Sequence, residues 1–467
     1  MRKYTILLIF VSAFVIRFIS LDQSLWLDEA TTANVVQQYG FAQIIQNFSP
    51  RDFHPPLYYL FMKAWTNMFG YSEIALRFPS IIFSLLSGWV VYLIAKRLAN
   101  KKVALWAAVF FLFNPLIIYY SQEARMYMMA TFLLTSTFYF ILELLTGPAA
   151  TFPPASAPPT YVGVRAVGSP SSRVTRQQFT LILVNIFLFL SLLTFYGSVF
   201  FILALYSYLL VKKKYRLLVQ ILPGFVAGLL LVSPLLQQQF ANSKQVLAIV
   251  VNWTTVLGQA TIKNLLLFPI KFATGRVSFE PKILSQVVLG LWTVSVFYYV
   301  AKGGLKNRRM LYFFAAPIAL GFIFSFYKPL LQYFRFLYLV PFMTVLVALG
   351  TRTKTQRTVL FLGFFLLSLV YLFDPNQHRE DWKALSKALP KDTKIYIISS
   401  SSDPLKYYRP DVVIADIRSI KNGKELHVVP YTTDIYGYDY QRVYKSKGYE
   451  LKEKRNFRGL IYERWTR

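Results

Sequence analysis

The chain has 467 residues, of which 55% are hydrophobic and 18% aromatic, with a mean hydropathy of +0.42. A soluble fold of this length buries its core with less apolar content, so the composition excludes an ordinary soluble enzyme and points to repeated membrane spans. The formal net charge of +30 would suggest nucleic acid in a soluble chain, but no nucleic-acid-binding motif is present. The absence of cysteine excludes disulfides, thiolate metal sites and cysteine nucleophiles.

Residues 1–20 open with Met1-Arg2-Lys3 and continue as an apolar run. No small-x-small site precedes Leu21, so the run reads as an uncleaved first helix. Ten further apolar runs follow, giving about 11 transmembrane helices: 4–20, 76–95, 103–120, 126–145, 179–195, 197–211, 217–236, 283–301, 310–326, 334–350 and 357–373. Charge tests this order. With the N-terminus inside, the inner loops hold Arg2/Lys3, Lys96/Arg97/Lys101/Lys102, Arg165/Arg173/Arg176, Lys212–Lys214 with Arg216, Lys302/Lys306/Arg308/Arg309 and Arg352/Lys354/Arg357, with no Asp or Glu among them. That is the positive-inside pattern at every crossing, and it assigns the basic excess to anionic lipid headgroups. An odd number of spans puts the C-terminus outside.

The outer segments are 21–75, 237–282, the tail from Asp374, and the short junctions Tyr119–Tyr127 and Tyr327–Arg335. The first of them, 21–75, holds the adjacent acids Asp28 and Glu29, together with His54 before Pro55 and Pro56. Asp28 reads either as an N-cap for a helix starting near Ala30 or as a general base. The prolines fix His54 at the entry to a helix beginning near Leu57. A lone histidine is more often structural than a ligand; with Asp28 and Glu29 in the same loop a divalent metal site is conceivable, although no HExxH motif or close histidine pair supports one. In the junction YSQEARMY, Glu123 and Arg125 are costly beside lipid and read as an ion pair or as cavity-facing groups. Arg125 is a candidate for binding an anionic headgroup, with Arg335, Lys63 and Arg77 as further cations.

Residues 147–177 are rich in Pro, Ala, Gly and Ser and carry no acid, which reads as a flexible inner linker. The tail, 374–467, alternates helix and strand signals: a helix from Arg379–Trp382 to about Leu389, strands in KIYIISSSS, VVIAD and LHVVP, then a closing hairpin. The division is therefore a transmembrane domain, 1–373, and a small C-terminal α/β extracytoplasmic domain, 374–467. Neither a phosphate-binding glycine loop nor a GxSxG elbow is present.

LWLDEA (25–30), HPPLYYLFMKAW (54–65), FGYSEIALRFPS (69–80) and YYSQEARMYMMATFLL (119–134), with YFRFLYLVPFM (333–343) and REDWKAL (379–385) later, resemble the family 39 glycosyltransferases. These are the protein mannosyltransferases and aminoarabinose transferases of the GT-C membrane fold. The resemblance implies transfer of a sugar, normally with inversion, from a polyprenyl-phosphate donor to an acceptor on the extracytoplasmic side. The acceptor could be a lipid, a glycan or a protein. Asp28 matches the family's acidic position and would be the catalytic base, with Glu29, His54, Lys63, Glu123, Arg125 and Arg335 as substrate-binding candidates. No cofactor is implied, a divalent metal stays open, and no nucleic acid partner is indicated. The expected location is the plasma membrane, multi-pass, with the site outside. Two other readings are a transporter or flippase of lipid-linked saccharides, which would place ionisable groups near the bilayer midplane, and a non-catalytic scaffold indifferent to loss of Asp28. The linker 147–177 is not explained by the resemblance.

Overall fold

The structure is a computed structural model and describes residues 2–147, 170–420 and 423–467. Most of the Pro-rich linker, 148–169, lies outside the described residues. Eight described helices are long and apolar enough to cross a membrane: Glu73–Leu98, Tyr127–Thr146, Thr175–Thr194, Tyr215–Ser243, Lys282–Lys306, Arg308–Ser325, Tyr333–Gly350 and Lys354–Phe373. A ninth candidate is the pair Lys101–Leu112 and Pro115–Ser121, bent by 58°. Tyr4–Ile16 and Ser198–Val211 are apolar but shorter. The protein is thus a polytopic helical membrane protein.

The bend in the pair follows from Asn114-Pro115. Proline supplies no N–H and disfavours a helical residue before it, and Asn114 is extended with φ −69° and ψ 130°. Its side-chain oxygen accepts from the Leu116 and Ile117 N–H groups and restarts the helix. Its amide donates to the Phe272 carbonyl at 2.8 Å, which ties the bend to the Ile262–Thr274 helix.

Helix packing in the membrane depends on small residues where backbones meet. Gly303, on Lys282–Lys306, faces the Leu346 carbonyl of the helix Val340–Gly350, and Gly350 faces the Tyr299 carbonyl in return. A Cβ at either position would collide with the facing carbonyl oxygen.

Residues 21–75 fold into two main helices, Leu27–Gln38 and Leu57–Phe69, with short helical turns over residues 41–51 between them. The second starts after Pro55-Pro56 and stops at Gly70, where φ is +80°. The chain after the last membrane helix forms a five-stranded mixed sheet in the order β2-β1-β3-β5-β4, with β1 Lys394–Ile397, β2 Val413–Asp416, β3 Glu425–Val428, β4 Glu450–Phe457 and β5 Leu460–Thr466. β1 is parallel to β2 and β3; β5 is antiparallel to β3 and β4. Strand alternation fills two cores. Ile395 and Ile397 pack with Trp382 and Leu385, whereas Tyr396 and Ile398 pack with Tyr444 and Trp465.

The sheet unit seats directly on the first segment. Asp403 accepts from the Thr31 hydroxyl at 2.7 Å through its carboxylate and from the Asn34 amide at 3.0 Å through its backbone carbonyl. Lys383 pairs with Glu73 at 2.8 Å, and the Tyr407 hydroxyl donates to the Tyr71 carbonyl at 2.7 Å. The Leu27–Gln38 helix is thereby held between the bundle and the sheet.

Replacing Gly303 by Val should force the two helices apart. The expected cost is about 1–3 kcal/mol, the usual price of overpacking, measured as a lowered thermal unfolding midpoint of the detergent-purified protein. An unchanged midpoint would mean that this close approach does not hold the pair.

Candidate active site

Asp28 and Glu29 both lie in the first turn of the Leu27–Gln38 helix, where the exposed backbone N–H groups favour negative charge. The helix begins at Leu27, so Asp28 is not its cap; the cap position belongs to Trp26, whose N–H reaches the Glu29 carboxylate at 3.4 Å. Successive helical residues are about 100° apart around the axis, which sends the two carboxylates to different surroundings.

Glu29 turns inward and is fully buried. Arg77 grips it with two bonds, Nε to Oε1 at 2.8 Å and Nη2 to Oε2 at 2.6 Å. Oε1 also accepts from the Ala124 N–H at 2.8 Å. Arg77 spends its remaining donors on the carbonyls of Leu21, Gln23 and Ser24. This pair joins the first segment, the Glu73–Leu98 helix and the Gln122–Arg125 turn. Sequence reasoning makes Glu29 a substrate-binding candidate; the structure places its acceptor positions on Arg77, Ala124 and Trp26 in the protein interior.

Asp28 turns outward, with its side chain 38% exposed. Arg125 lies behind it, 3% exposed, with Nη2 3.7 Å from Asp28 Oδ2. Arg125 also donates to the Tyr59 hydroxyl at 3.2 Å and lies 3.5 Å from the His54 ring nitrogens. Its Nε is buried and has no hydrogen-bond partner among the described residues. His54 Nδ1 is 3.4 Å from Asp52 Oδ2. Burial works against ionisation of Asp52, but His54 and Arg125 outweigh it and hold its carboxyl below the ordinary aspartate value. The Ser49–His54 stretch is fixed from the side by Gln239, whose amide donates to the Ser49 and His54 carbonyls at 2.7 and 3.2 Å.

Arg335 sits in the Tyr333–Leu339 turn, donates to the Leu257 carbonyl at 3.0 Å, and is close enough to feel the charge of Asp28. The structure therefore brings Asp28, His54, Arg125 and Arg335 to one end of the bundle. Lys63 does not join them: its Nζ donates to the Val36 carbonyl at 2.7 Å and ties the two short helices together. Glu123 does not pair with Arg125 as the junction suggested; it faces away, toward Arg379, at 3.5 Å.

Asp52, Tyr59, Arg276 and Arg379 were not singled out in the sequence. Asp52 had a signal, two residues before His54 in RDFHPP, and Arg379 stands in the REDW motif. Arg276, which donates to the Tyr119 hydroxyl at 3.0 Å, had none. No group of three or more His, Asp or Glu side chains among the described residues is arranged to hold a metal ion, so the first-segment metal site conceived from Asp28, Glu29 and His54 is not assembled.

The described residues thus form a helical bundle with an apposed acidic and basic cluster at one end and a small sheet unit seated beside it. Comparison with known proteins gives matches in sequence and in fold. Residues 53–153 match the family described as dolichyl-phosphate-mannose-protein mannosyltransferase. The fold matches ArnT from Cupriavidus metallidurans in the apo state, at TM-score 0.57 and 13% identity over 99% of this chain and 98% of that one. It matches the same protein bound to undecaprenyl phosphate at TM-score 0.58 and 12% identity, with the same coverage. The oligosaccharyltransferase of Archaeoglobus fulgidus, apo form, aligns at TM-score 0.51 and 13% identity over 89% of this chain and 65% of that one. No curated protein matches by sequence. Identities this low establish the fold, and the signature at 53–153 supplies the sequence link. Together they bear out the resemblance: residues 53–153 carry the mannosyltransferase family signature, and the whole chain has a fold like that of ArnT.

Two substitutions separate support from contact. Arg77→Ala leaves the Glu29 charge buried and unpaired and is expected to cost about 3–5 kcal/mol, read as loss of folded protein on gel filtration and a lowered melting point. Lys63→Met removes one hydrogen bond, about 1 kcal/mol, and should leave affinity for a polyprenyl phosphate unchanged. A large affinity loss in Lys63→Met would return Lys63 to the site.

Proposed function

We propose that the protein is a membrane glycosyltransferase that moves a sugar, hexosyl or mannosyl-like, from a polyprenyl-phosphate donor to an acceptor hydroxyl on the extracytoplasmic face, with Asp28 as the general base. The observation that carries this reading is the half-exposed Asp28 carboxylate backed by the buried Arg125 at one end of the bundle. A carboxylate open to a cleft can take a proton, and a fixed cation beside it can hold an anionic group in register.

In this reading the acceptor oxygen attacks the anomeric carbon while Asp28 takes its proton. The bond from that carbon to the phosphate oxygen breaks, and its electron pair leaves with the lipid phosphate. Positive charge gathers on the sugar and negative charge on the departing phosphate. Arg125 has a spare buried donor for that charge, and Arg335 contributes a second cation. A single displacement inverts the anomeric centre. Eleven crossings with a cytoplasmic N-terminus would put this end of the bundle outside. A transporter of lipid-linked saccharides is less well supported, because the cluster of Asp28, Asp52, His54 and Arg125 gathers where the first segment meets the Gln122–Arg125 turn and not along the middle of the long helices.

Transfer from a labelled polyprenyl-phosphate hexose in proteoliposomes tests the assignment. Asp28→Asn should lower kcat by about 10²–10⁴-fold with the melting point unchanged. Arg125→Gln and Arg335→Gln should each cost about 10²–10³-fold in kcat/KM. Full transfer by a folded Asp28→Asn protein would remove Asp28 as the base.

A further inference from the structure

Arg379 lies six residues after the end of the last described membrane helix, Lys354–Phe373. Its guanidinium lies 3.8 Å from the centre of the Trp26 ring and 5.6 Å from that of Tyr119, a cation placed between two aromatic side chains. Its Nη2 is 3.5 Å from Glu123 Oε1. The tail holds the backbone at this point: Arg458, in the β4–β5 turn, donates to the Arg379 carbonyl at 3.2 Å and pairs with Asp381 at 3.3 Å. A continuous line of contacts therefore runs from the tail hairpin through Arg379 to Trp26, and Trp26 caps the helix that presents Asp28 two residues later.

The pocket that receives Arg379 is incompletely satisfied. Both carboxylate oxygens of Glu123, Arg379 Nε and Gln122 Oε1 are buried without hydrogen-bond partners among the described residues. They border a cavity of about 10 Å³, room for roughly one water, whose walls include Gln23, Trp26, Tyr119 and Tyr371. A buried carboxylate with no hydrogen bonds is costly when charged, so its charge state and the seating of the arginine opposite are linked.

We propose that Arg379 is a positioning residue for the Asp28 site, seated by Glu123, so that the tail is a working part of the transfer machinery and its grip follows the protonation of Glu123. The proposal rests on the glycosyltransferase reading above. The residues that form the clasp come from separate parts of the chain, and they add to the Glu29–Arg77 pair in holding the Trp26 end of the Leu27–Gln38 helix.

Charge fixes the direction. Burial pushes the Glu123 carboxyl up to about 7; Arg379 and Arg276 pull it down, while Glu29 and Asp28 raise it. Around it also stand Tyr119 and Tyr371, and Arg77 with its charge committed to Glu29. Above pH 7 the carboxylate is ionised and holds the guanidinium by charge. Below it the carboxyl is neutral and only the ring faces remain. Because this folded-state value is raised, its contribution to stability is full below the ordinary glutamate range and is lost as pH rises through about 7. Ionised Glu123 thus tightens the clasp while it weakens the fold.

That opposition makes the test specific. Glu123→Gln should melt no lower than the parent above pH 7, yet lose about 10–100-fold in kcat there, the scale of a misplaced catalytic group, with little change in KM for a labelled polyprenyl-phosphate hexose. Its kcat–pH profile should lack the limb near 7 that the parent shows. Arg379→Lys should restore part of the rate and Arg379→Gln none. Difference infrared spectroscopy of the carboxyl stretch, which needs no turnover, should show a titration that Glu123→Gln abolishes and Arg379→Gln moves to higher pH. A parent protein with no transfer at all would defeat the glycosyltransferase reading, while the infrared titration would still decide the clasp. A normal kcat in folded Arg379→Gln, or an infrared midpoint indifferent to Arg379, would overturn the inference.

Discussion

The end of the bundle that carries Asp28 depends on one buried ion pair. Taking a guanidinium and a carboxylate out of water costs several kcal/mol per ion unless nearly every donor and acceptor finds a partner. Arg77 and Glu29 meet that condition only when two separate backbone stretches are present. The Leu21–Ser24 carbonyls receive one side of the guanidinium, and the Ala124 N–H supplies the carboxylate. The pair is therefore a geometric requirement as much as an attraction: if the first segment or the 122–125 turn moved, a charge would be left bare in the core. This explains how a segment of short helices and turns can present a side chain with the reproducibility that chemistry demands.

The same pair makes the neighbouring acid available. With Glu29 fixed inward, the helical rotation of one residue leaves Asp28 facing outward. Arg125 follows Ala124 in sequence, so the N–H that satisfies Glu29 also sets the arginine behind Asp28. Two adjacent acids thus acquire opposite tasks through their surroundings. One is surrounded by donors and excluded from water, and the other keeps free acceptor capacity beside a cation. The two arginines divide in the same way. Arg77 uses its donors on protein carbonyls and carboxylate, whereas Arg125 retains a buried donor with no protein partner among the described residues. An unsatisfied buried donor is costly to the fold, and under the proposed function it is open to an anionic group of the substrate.

The sequence was most informative where local physics decides the outcome. Apolar runs marked the membrane helices, since a span must be long and lipid-compatible whatever its neighbours do. The Pro55-Pro56 step located the start of the Leu57–Phe69 helix because proline acts on its own backbone. Glu123 and Arg125 stood out as charges that lipid would penalise, and Asp28 as one of two adjacent acids in the first segment. What the sequence concealed was the direction in which each charge points. Glu123 and Arg125 are two residues apart and look like a pair, yet the tight turn sends them to opposite sides, where one meets tail residue 379 and the other meets residue 28. Lys63 looked like a spare cation on the right segment, but a carbonyl on the adjoining helix captures it. Partner choice in these cases is made by tertiary packing over separations of tens to hundreds of residues, which spacing along a chain does not encode.

The tail shows the same principle from the other direction. Read alone, residues beyond 374 are a small strand-and-helix unit of ordinary composition, with a core on each face of its sheet. Its contacts with the first segment give it a different meaning, because Asp403, Lys383 and Arg379 each engage a different point on or beside the Leu27–Gln38 helix. Asp403 holds its middle through Thr31 and Asn34, Lys383 reaches the Asp22 carbonyl ahead of it, and Arg379 covers the Trp26 ring at its start. A helix of 12 residues is too short to hold its orientation by its own hydrogen bonds. Three external attachments along its length supply the missing rigidity. The membrane bundle fixes the inward face through Glu29, the sheet unit fixes the polar face, and the Asp28 carboxylate emerges from the edge between them. The orientation of that carboxylate is therefore a property of the junction between the two parts of the chain, and neither part alone would define it.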